Sequence, residues 1–126
     1  YTGAEIVKLT TKSFYIRDDN GVPSLYQRIA GNNAVPLVEG VENMQILYGV
    51  DTDNDQSADQ YITAAAVTNW DNVMSVRVRL LLRTLADNLV VDGAQTYNFN
   101  GTAVTATDSR LRAVFSRTIS LRNRVP

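Results

Sequence analysis

The chain contains neither cysteine nor histidine among its 126 residues. The lack of cysteine excludes disulfides, thiolate metal sites and cysteine nucleophiles. The lack of histidine removes the commonest general base and the commonest zinc ligand. The sequence also has no nucleophile-elbow motif and no glycine-rich phosphate loop. Catalysis would have to rest on a carboxylate pair, and no spacing in the sequence indicates one, so we predict that the protein is not an enzyme.

Long apolar runs are missing as well. A membrane-spanning helix needs about 20 apolar residues, whereas the longest purely apolar runs here are short, such as Leu80-Leu81-Leu82. Hydrophobic residues make up 44% of the chain and charged residues 20%, which is typical of a globular protein and not of a disordered one. The length suits one domain, residues 1–126, that can bury a core without disulfides.

Charge is divided unevenly along the chain. Residues 1–70 carry four basic and nine acidic side chains, whereas residues 71–126 carry eight basic side chains, all arginine, and four acidic ones. Either the two halves attract each other within one fold, or opposite faces meet between subunits. The pI near 5.3 and the lack of interleaved aromatic residues argue against nucleic acid as a partner.

Apolar residues recur mostly with a period of two, which predicts a mainly β fold of antiparallel sheets, at the border of α+β, with at most short helices. The predicted strands cover residues 5–17, 24–30, 42–50, 75–83, 95–99, 102–105 and 117–123. Two Asn-Gly pairs, Asn20-Gly21 and Asn100-Gly101, predict hairpin turns. Short helical segments are predicted at residues 63–68 and, capped by Asp108, at residues 109–114.

The predicted strand over residues 75–83 has two contrasting faces. One face carries Val76, Val78, Leu80 and Leu82, and the other carries Ser75, Arg77, Arg79, Leu81 and Arg83. The all-apolar face must pack on another element. The arginine face is either solvated or in contact with a partner, and we assign Arg77, Arg79 and Arg83 as the candidate partner interface.

An acidic segment follows the strand that ends at Val50. Its oxygen-bearing residues occupy positions 1, 3, 5, 7 and 9 of an EF-hand-type calcium loop, namely Asp51, Asp53, Asp55, Ser57 and Asp59. Position 6 is Gln56 where glycine allows the sharp turn, position 12 is Ile62 where a carboxylate is expected, and the flanking segments are strands. Two interpretations stay open: a calcium site of roughly 10⁻⁴–10⁻³ M affinity, or a solvated acidic turn. No cofactor is required, and calcium is the one candidate.

Tyrosines provide a further possibility for ligand binding. A carbohydrate platform could be formed by Tyr15, Tyr26, Tyr48, Tyr61 and Tyr97. Tyrosine on a strand is more often a half-buried packing residue. An exported calcium- or carbohydrate-binding β module is therefore the alternative to the function given next.

Three segments, in the correct order, carry a family resemblance. They are LVEGVENMQILYGVD at residues 37–51, WDNVMSVRVRLLLRT at residues 70–84, and ISLRNRVP at residues 119–126. In these segments the chain resembles the C-terminal region of PilW-type minor pilins of type IV pili. That family is itself similar to the J-type pseudopilins of secretion systems. A type II secretion pseudopilin is thus the nearest alternative within the class.

The resemblance implies a fold, a location and a set of partners. Such proteins are made with a leader and a long N-terminal apolar helix, absent from this chain, which anchors them in the inner membrane with the globular domain facing the periplasm. They form a complex that primes pilus assembly and then sits at the pilus tip on the cell surface. The implied partners are other minor pilins, the major pilin and a large tip adhesin, with membrane contact only through the missing helix. The chain would then be the C-terminal part of a longer protein.

Overall fold

The computed structural model describes residues 8–90 and 94–121, and these residues form antiparallel β-sheets. The strands are β1 (Lys12–Asp19), β2 (Val22–Ile29), β3 (Val35–Glu39), β4 (Val41–Val50), β5 (Gln60–Ile62), β6 (Val73–Arg83), β7 (Thr96–Phe99), β8 (Thr102–Thr105) and β9 (Arg112–Ser120). One sheet has the strand order β1-β2-β3, a second has the order β5-β4-β6-β9, and β7 and β8 form a hairpin. The predicted mainly β fold is confirmed.

Both Asn-Gly pairs form tight hairpin turns, as predicted. Asn20 and Gly21 have φ values of 55° and 84°, and Asn100 and Gly101 have φ values of 59° and 81°. A type I′ turn requires positive φ at both central residues, and Asn-Gly tolerates this best. The turns therefore set the β1–β2 and β7–β8 pairings directly from local sequence.

The described residues contain two short helical elements, each a single 3₁₀ turn. The first, Ala64–Ala66, confirms a short helical segment within residues 63–68. The second, Trp70–Asn72, places the Trp70 ring edge-on against Tyr48, with ring centroids 4.9 Å apart. No described helix is long and apolar enough to cross a membrane.

The predicted helical turn at residues 109–114 is wrong. Residue 109 lies in a bend, residues 110–111 have no regular secondary structure, and β9 begins at Arg112 and pairs with β6 without a bulge. Asp108 accepts a hydrogen bond from the Arg110 N–H (3.2 Å), but this bond does not start a helix. Long-range pairing with β6 outweighs the weak local preference for a cap, because a single turn has no stability of its own.

Several predicted strand boundaries also differ from the structure, and those of the first and last strands differ most. The first strand was predicted from residue 5, but residues 8–11 are not in a strand and β1 begins at Lys12; residues 5–7 lie outside the described part of the chain. The last strand was predicted over residues 117–123, but β9 runs from Arg112 to Ser120, and residues 122–123 lie outside the described part. The segment before β4 is a further strand, β3.

A single residue, Gly40, joins the three-stranded sheet to the four-stranded sheet. It has φ +78°, its N–H donates to the Pro23 carbonyl (2.8 Å), and its carbonyl accepts from the Arg83 N–H (2.7 Å). A Cβ at this position would collide with the Arg83 carbonyl oxygen. Only glycine combines this backbone conformation with this close approach. The joint therefore fixes how the two sheets meet.

The four-stranded sheet has one apolar face and one polar face, read directly from the strand register. The rungs of the apolar face are Met44–Leu80–Phe115, Ile46–Val78–Arg117 and Tyr48–Val76–Ile119. The rungs of the polar face are Gln45–Arg79–Ser116, Leu47–Arg77–Thr118 and Gly49–Ser75–Ser120. The three-stranded sheet contacts β4 through β1 and β2 and so covers one end of the apolar face.

Candidate functional site

The acidic segment after β4 wraps around the carboxylate of Asp51. This side chain is buried, with 2% of the residue exposed. Its Oδ1 accepts from the Asn54 N–H (2.7 Å), and its Oδ2 accepts from the Gln56 N–H (2.9 Å). Gln56 has φ +70°, the left-handed conformation for which an EF-hand loop uses glycine. The absence of glycine at position 6 therefore does not prevent the sharp turn.

Three of the five predicted calcium ligands come together. Asp51, Asp53 and Asp59 each place a carboxylate oxygen within 4.8 Å of the others. Asp55 lies outside this group, and its Oδ1 accepts from the Ser57 N–H (2.8 Å). None of the four aspartates forms an ion pair with a described residue. Calcium binding stays a prediction.

Asp59 closes the loop onto its own start. Its Oδ2 accepts from the hydroxyl of Thr52 (2.6 Å) and from the Thr52 N–H (2.7 Å). These bonds, the hydroxyl first, lower the pKa of Asp59. These bonds therefore favour the ionised form of the Asp59 carboxylate.

A polar cavity of about 250 Å³ lies between this loop and the polar face. Its lining includes Tyr61, Ser75 and Thr118. The Tyr61 hydroxyl lies 3.1 Å from the Ser75 Oγ, and this hydrogen bond is the main reason that the pKa of Tyr61 is lowered. The guanidinium of Arg77 stacks on the Tyr61 ring, 3.4 Å from its centroid. These contacts explain Tyr61 as a packing residue of the polar face.

The five tyrosines do not form one platform. Tyr15 and Tyr26 stack on each other in the three-stranded sheet with centroids 6.0 Å apart, whereas Tyr48 lies on the apolar face of the other sheet. Tyr61 pairs with Gly49 on the polar face, and Tyr97 belongs to the β7–β8 hairpin. The structure therefore separates the residues that a carbohydrate platform would need together.

The three arginines assigned to a partner interface have different surroundings. Arg77 donates from Nε to the Thr118 Oγ1 (3.2 Å). Arg83 donates to Glu42 Oε1 (3.3 Å) and to the Gly21 carbonyl (2.6 Å), and its side chain is only 16% exposed. Arg79 makes no hydrogen bond or ion pair within residues 8–90 and 94–121. The interface stays a prediction, but Arg83 is already engaged within the fold.

Sequence reasoning missed a partly buried ion cluster at the start of β9. Arg112, whose side chain is 7% exposed, donates from Nε to Glu42 Oε2 (2.7 Å) and from Nη1 to Asp108 Oδ1 (2.6 Å). Its guanidinium holds the pKa of Asp108 at about 2, and the same bonds raise the pKa of Arg112. Arg83 joins the cluster through Glu42.

The only sequence signal for this cluster was the opposite charge of the two halves of the chain. Glu42 belongs to the acidic half, and Arg83 and Arg112 belong to the basic half. Their pairing shows that the charge division acts, at these residues, within one fold. A separation of 70 residues between Glu42 and Arg112 explains why no local pattern revealed the contact.

The apolar face is largely open to solvent. Ile46 is 38% exposed, Phe115 49% and Ile119 56%. At the end covered by the three-stranded sheet, a groove of about 230 Å³ is lined entirely by apolar side chains: Phe14, Leu25, Met44, Ile46, Val78 and Leu80. Exposed contiguous apolar surface is typical of interaction sites.

Comparison with protein families decides the class of this protein. The family model for type IV pilus-assembly protein W matches residues 13–123. The chain belongs to the PilW family. The match runs from β1 to beyond the end of β9, so it includes the acidic loop, the ion cluster and the apolar face. Searches of curated proteins and of solved structures returned no match.

Membership of the PilW family places the protein in type IV pilus assembly and confirms the resemblance found in its sequence. The family role is structural and not catalytic. It indicates interaction with other pilus components, in the periplasm or on the pilus.

Proposed function

We propose that the protein is a structural minor pilin, which helps to prime assembly of the type IV pilus and then forms part of the complex at its tip. In this proposal its partners are other minor pilins, the major pilin and a large tip adhesin. An N-terminal apolar helix holds the protein in the inner membrane, with the globular domain facing the periplasm, until it enters the pilus. The family match supports the pilus system, and the open apolar face supports a role in packing.

The open apolar face is the observation that carries the proposal. Its exposed side chains lie on three neighbouring rungs of one sheet, and the groove at its end continues the same surface. An α-helix with its side chains is about 10 Å across, and helices pack on sheets through such faces. We assign the N-terminal apolar helix of the pilin class as the element that covers this face, which would give the apolar side chains the cover that the described residues do not supply.

A charge placed on the apolar face tests this assignment. In the full-length protein, Ile46→Glu should abolish surface pili, because a carboxylate cannot be buried against an apolar helix without a partner. Ile46 is already 38% exposed, so the globular domain should still fold. The matched control is Asn43→Glu, an exposed position on the polar side of the same strand, which should leave piliation normal. Normal piliation with Ile46→Glu would contradict the assignment.

Deletion tests the function itself. A strain whose full-length gene lacks residues 1–126 should make normal amounts of major pilin but no surface pili, and twitching should stop. Normal piliation in that strain would remove the structural role. Loss of type II secretion with intact pili would identify the protein as a pseudopilin instead.

A further inference from the structure

Among the strands that the structure describes, none covers the outer edge of β9. β9 pairs with β6 along its whole length and without a bulge. The Thr84 N–H donates to the Leu111 carbonyl and the Leu121 N–H donates to the Met74 carbonyl. These two bonds show which residues of β9 bond to β6. In an antiparallel ladder, alternate residues direct their N–H and C=O groups away from the partner strand. The residues of β9 that point outward are therefore Arg112, Val114, Ser116, Thr118 and Ser120.

Within the described residues, only the first of these outward positions has a backbone partner. The side-chain amide of Gln95 receives a hydrogen bond from the Arg112 N–H and donates to the Arg112 carbonyl (2.9 Å), as a neighbouring strand would. No strand within residues 8–90 and 94–121 pairs with this edge of β9. The backbone groups of Val114, Ser116, Thr118 and Ser120 thus form an unoccupied strand-binding edge whose N-terminal limit is set by Gln95.

The other edges of the two larger sheets carry features that discourage pairing. β5 is only three residues long, and β3 contains Pro36 and pairs with β2 through a register shift. β1 carries a charge at both ends and has Arg17 beside Asp18 and Asp19. Short length, proline, irregular pairing and charge are the usual protections of an edge strand. β9 has no proline, no glycine and no bulge, and Arg117 is the one charged residue in its interior.

The side chains of β9 indicate what kind of strand would fit. On the apolar face, Phe115 and Ile119 are about half exposed and flank Arg117, whose guanidinium lies 5.8 Å from the Phe115 ring. On the opposite side of β9, the side chains of Ser116 and Thr118 belong to the polar face. A neighbouring strand would therefore present apolar residues to one side, polar residues to the other and a carboxylate to Arg117.

We propose that the outer edge of β9 binds an extended segment of another protein by strand addition. The segment alternates apolar and polar residues and places a carboxylate opposite Arg117. A second copy of β9 does not meet this requirement, because the sequence of β9, RAVFSRTIS, contains no acidic residue. Binding at this edge does not depend on the minor-pilin role or on a helix that covers the apolar face.

Hydrogen exchange of backbone amides measures occupation of the edge directly. The probe is a synthetic peptide of about nine residues that alternates valine and threonine with one central glutamate. Added to the 126-residue chain, it should slow exchange of the Ser116 and Thr118 amides by about tenfold or more, because these N–H groups gain partners. The amides of Phe115 and Ile119 already bond to β6 and should be slow in both states. A scrambled peptide of the same composition is the control.

Two variants separate edge binding from general damage. Ser116→Pro removes an outward N–H that β6 does not use, so it should weaken peptide binding by about tenfold and leave the β6 pairing intact. Arg117→Glu should weaken binding of the glutamate peptide by about fivefold. A peptide with lysine in place of the glutamate should restore that affinity, and such rescue cannot come from a misfolded chain.

Four results would overturn the proposal. The peptide fails to slow exchange at Ser116 and Thr118 even at high concentration, or the peptide binds Ser116→Pro with unchanged affinity. The two amides are already protected in the dilute free chain, which would show that another part of the chain covers the edge. Their protection rises with the concentration of the chain alone, which would identify a second copy as the occupant.

Discussion

The two carboxylate clusters of this protein have opposite electrostatic surroundings. Glu42 and Asp108 are partly buried and each forms an ion pair with Arg112. The loop carboxylates of Asp51, Asp53 and Asp59 lie within 4.8 Å of one another and receive only backbone N–H and hydroxyl donors among the described residues. The first cluster is neutralised within the fold, whereas the second keeps a concentrated negative charge.

The difference follows from how the chain brings each cluster together. The first joins residues 70 positions apart, so it exists only when β4, β6 and β9 are assembled. The second lies within nine consecutive residues, and its hydrogen bonds are local turns. A neutralised cluster can stabilise the fold but has little net charge with which to bind a ligand. In a local cluster without cations the carboxylates repel one another, and a bound cation would remove that repulsion.

Removal of Arg112 should give the largest effect. Arg112→Ala leaves Glu42 and Asp108 without their shared cation in a poorly solvated site, so we expect a loss of about 3 kcal/mol in the free energy of unfolding. Urea titration followed by circular dichroism measures it. Arg117→Ala, on the same strand but exposed to solvent, is the control and should change stability by less than about 0.5 kcal/mol. Equal effects of the two variants would show that the first cluster does not stabilise the fold.

Calcium should act on the second cluster alone. At a calcium concentration 100 times the dissociation constant the folded state gains about 2.7 kcal/mol, and the melting temperature should rise by several degrees, about 2–8 °C per kcal/mol. Magnesium should do much less, because it requires tight octahedral geometry and gives up its waters reluctantly. The variant with Asp53→Asn and Asp59→Asn should lose the response, and Asp108→Asn should keep it.

Superimposable melting curves with calcium and with a chelator, at low salt, would leave the loop as a solvated acidic turn. Without metal, the double variant relieves repulsion in the loop but loses the charged acceptor that Asp59 offers to Thr52, so its metal-free stability does not distinguish the interpretations. Only the calcium dependence does.

Two arginines of β6 should also differ in how much they contribute to stability. Arg83→Ala loses the bond to the Gly21 carbonyl and the pair with Glu42, so we expect a cost of about 1–2 kcal/mol. Arg79→Ala should cost less than about 0.5 kcal/mol. If Arg79 faces a partner, Arg79→Glu should weaken complexes of the full-length protein without lowering the melting temperature. An Arg79 variant as unstable as the Arg83 variant would contradict this division.

Acid titration at two salt concentrations should distinguish the two clusters. The folded-state pKa of Asp108 is about 2, below the value of about 3.9 in an unfolded chain. The stabilisation of the fold by ionised Asp108 is therefore complete above about pH 4 and is lost as the pH falls through 2. Asp59, whose pKa is also lowered, acts in the same direction through Thr52.

Melting temperatures between pH 5 and 2 measure this loss, and the curve of Asp108→Asn should be flatter. In about 1 M salt the contribution of Asp108 should shrink, because ion pairs are screened, while that of Asp59 should persist, because its main partners are neutral donors. Identical salt sensitivity at the two positions would contradict the comparison.

Local patterns predicted the parts of this fold that local forces determine. Asn-Gly turns and period-two strands depend on residues close in sequence, and the structure has them where they were predicted, apart from strand ends. The helical turn after Asp108 failed because β9 pairs with β6 across a long separation. The ion cluster and the groove between the sheets were not predictable for the same reason: Glu42 meets Arg112, and Phe14 meets Val78, only after the chain has folded.

The joint at Gly40 has a mechanical consequence. Its N–H and C=O are bonded to opposite sheets, and the Arg83 side chain reaches back to the Gly21 carbonyl across the same gap. A tensile load on the three-stranded sheet would thus pass into the central strand β6 through several bonds at once, without bending one flexible link. We expect the two sheets to move as one rigid body under such a load, with little bending at Gly40.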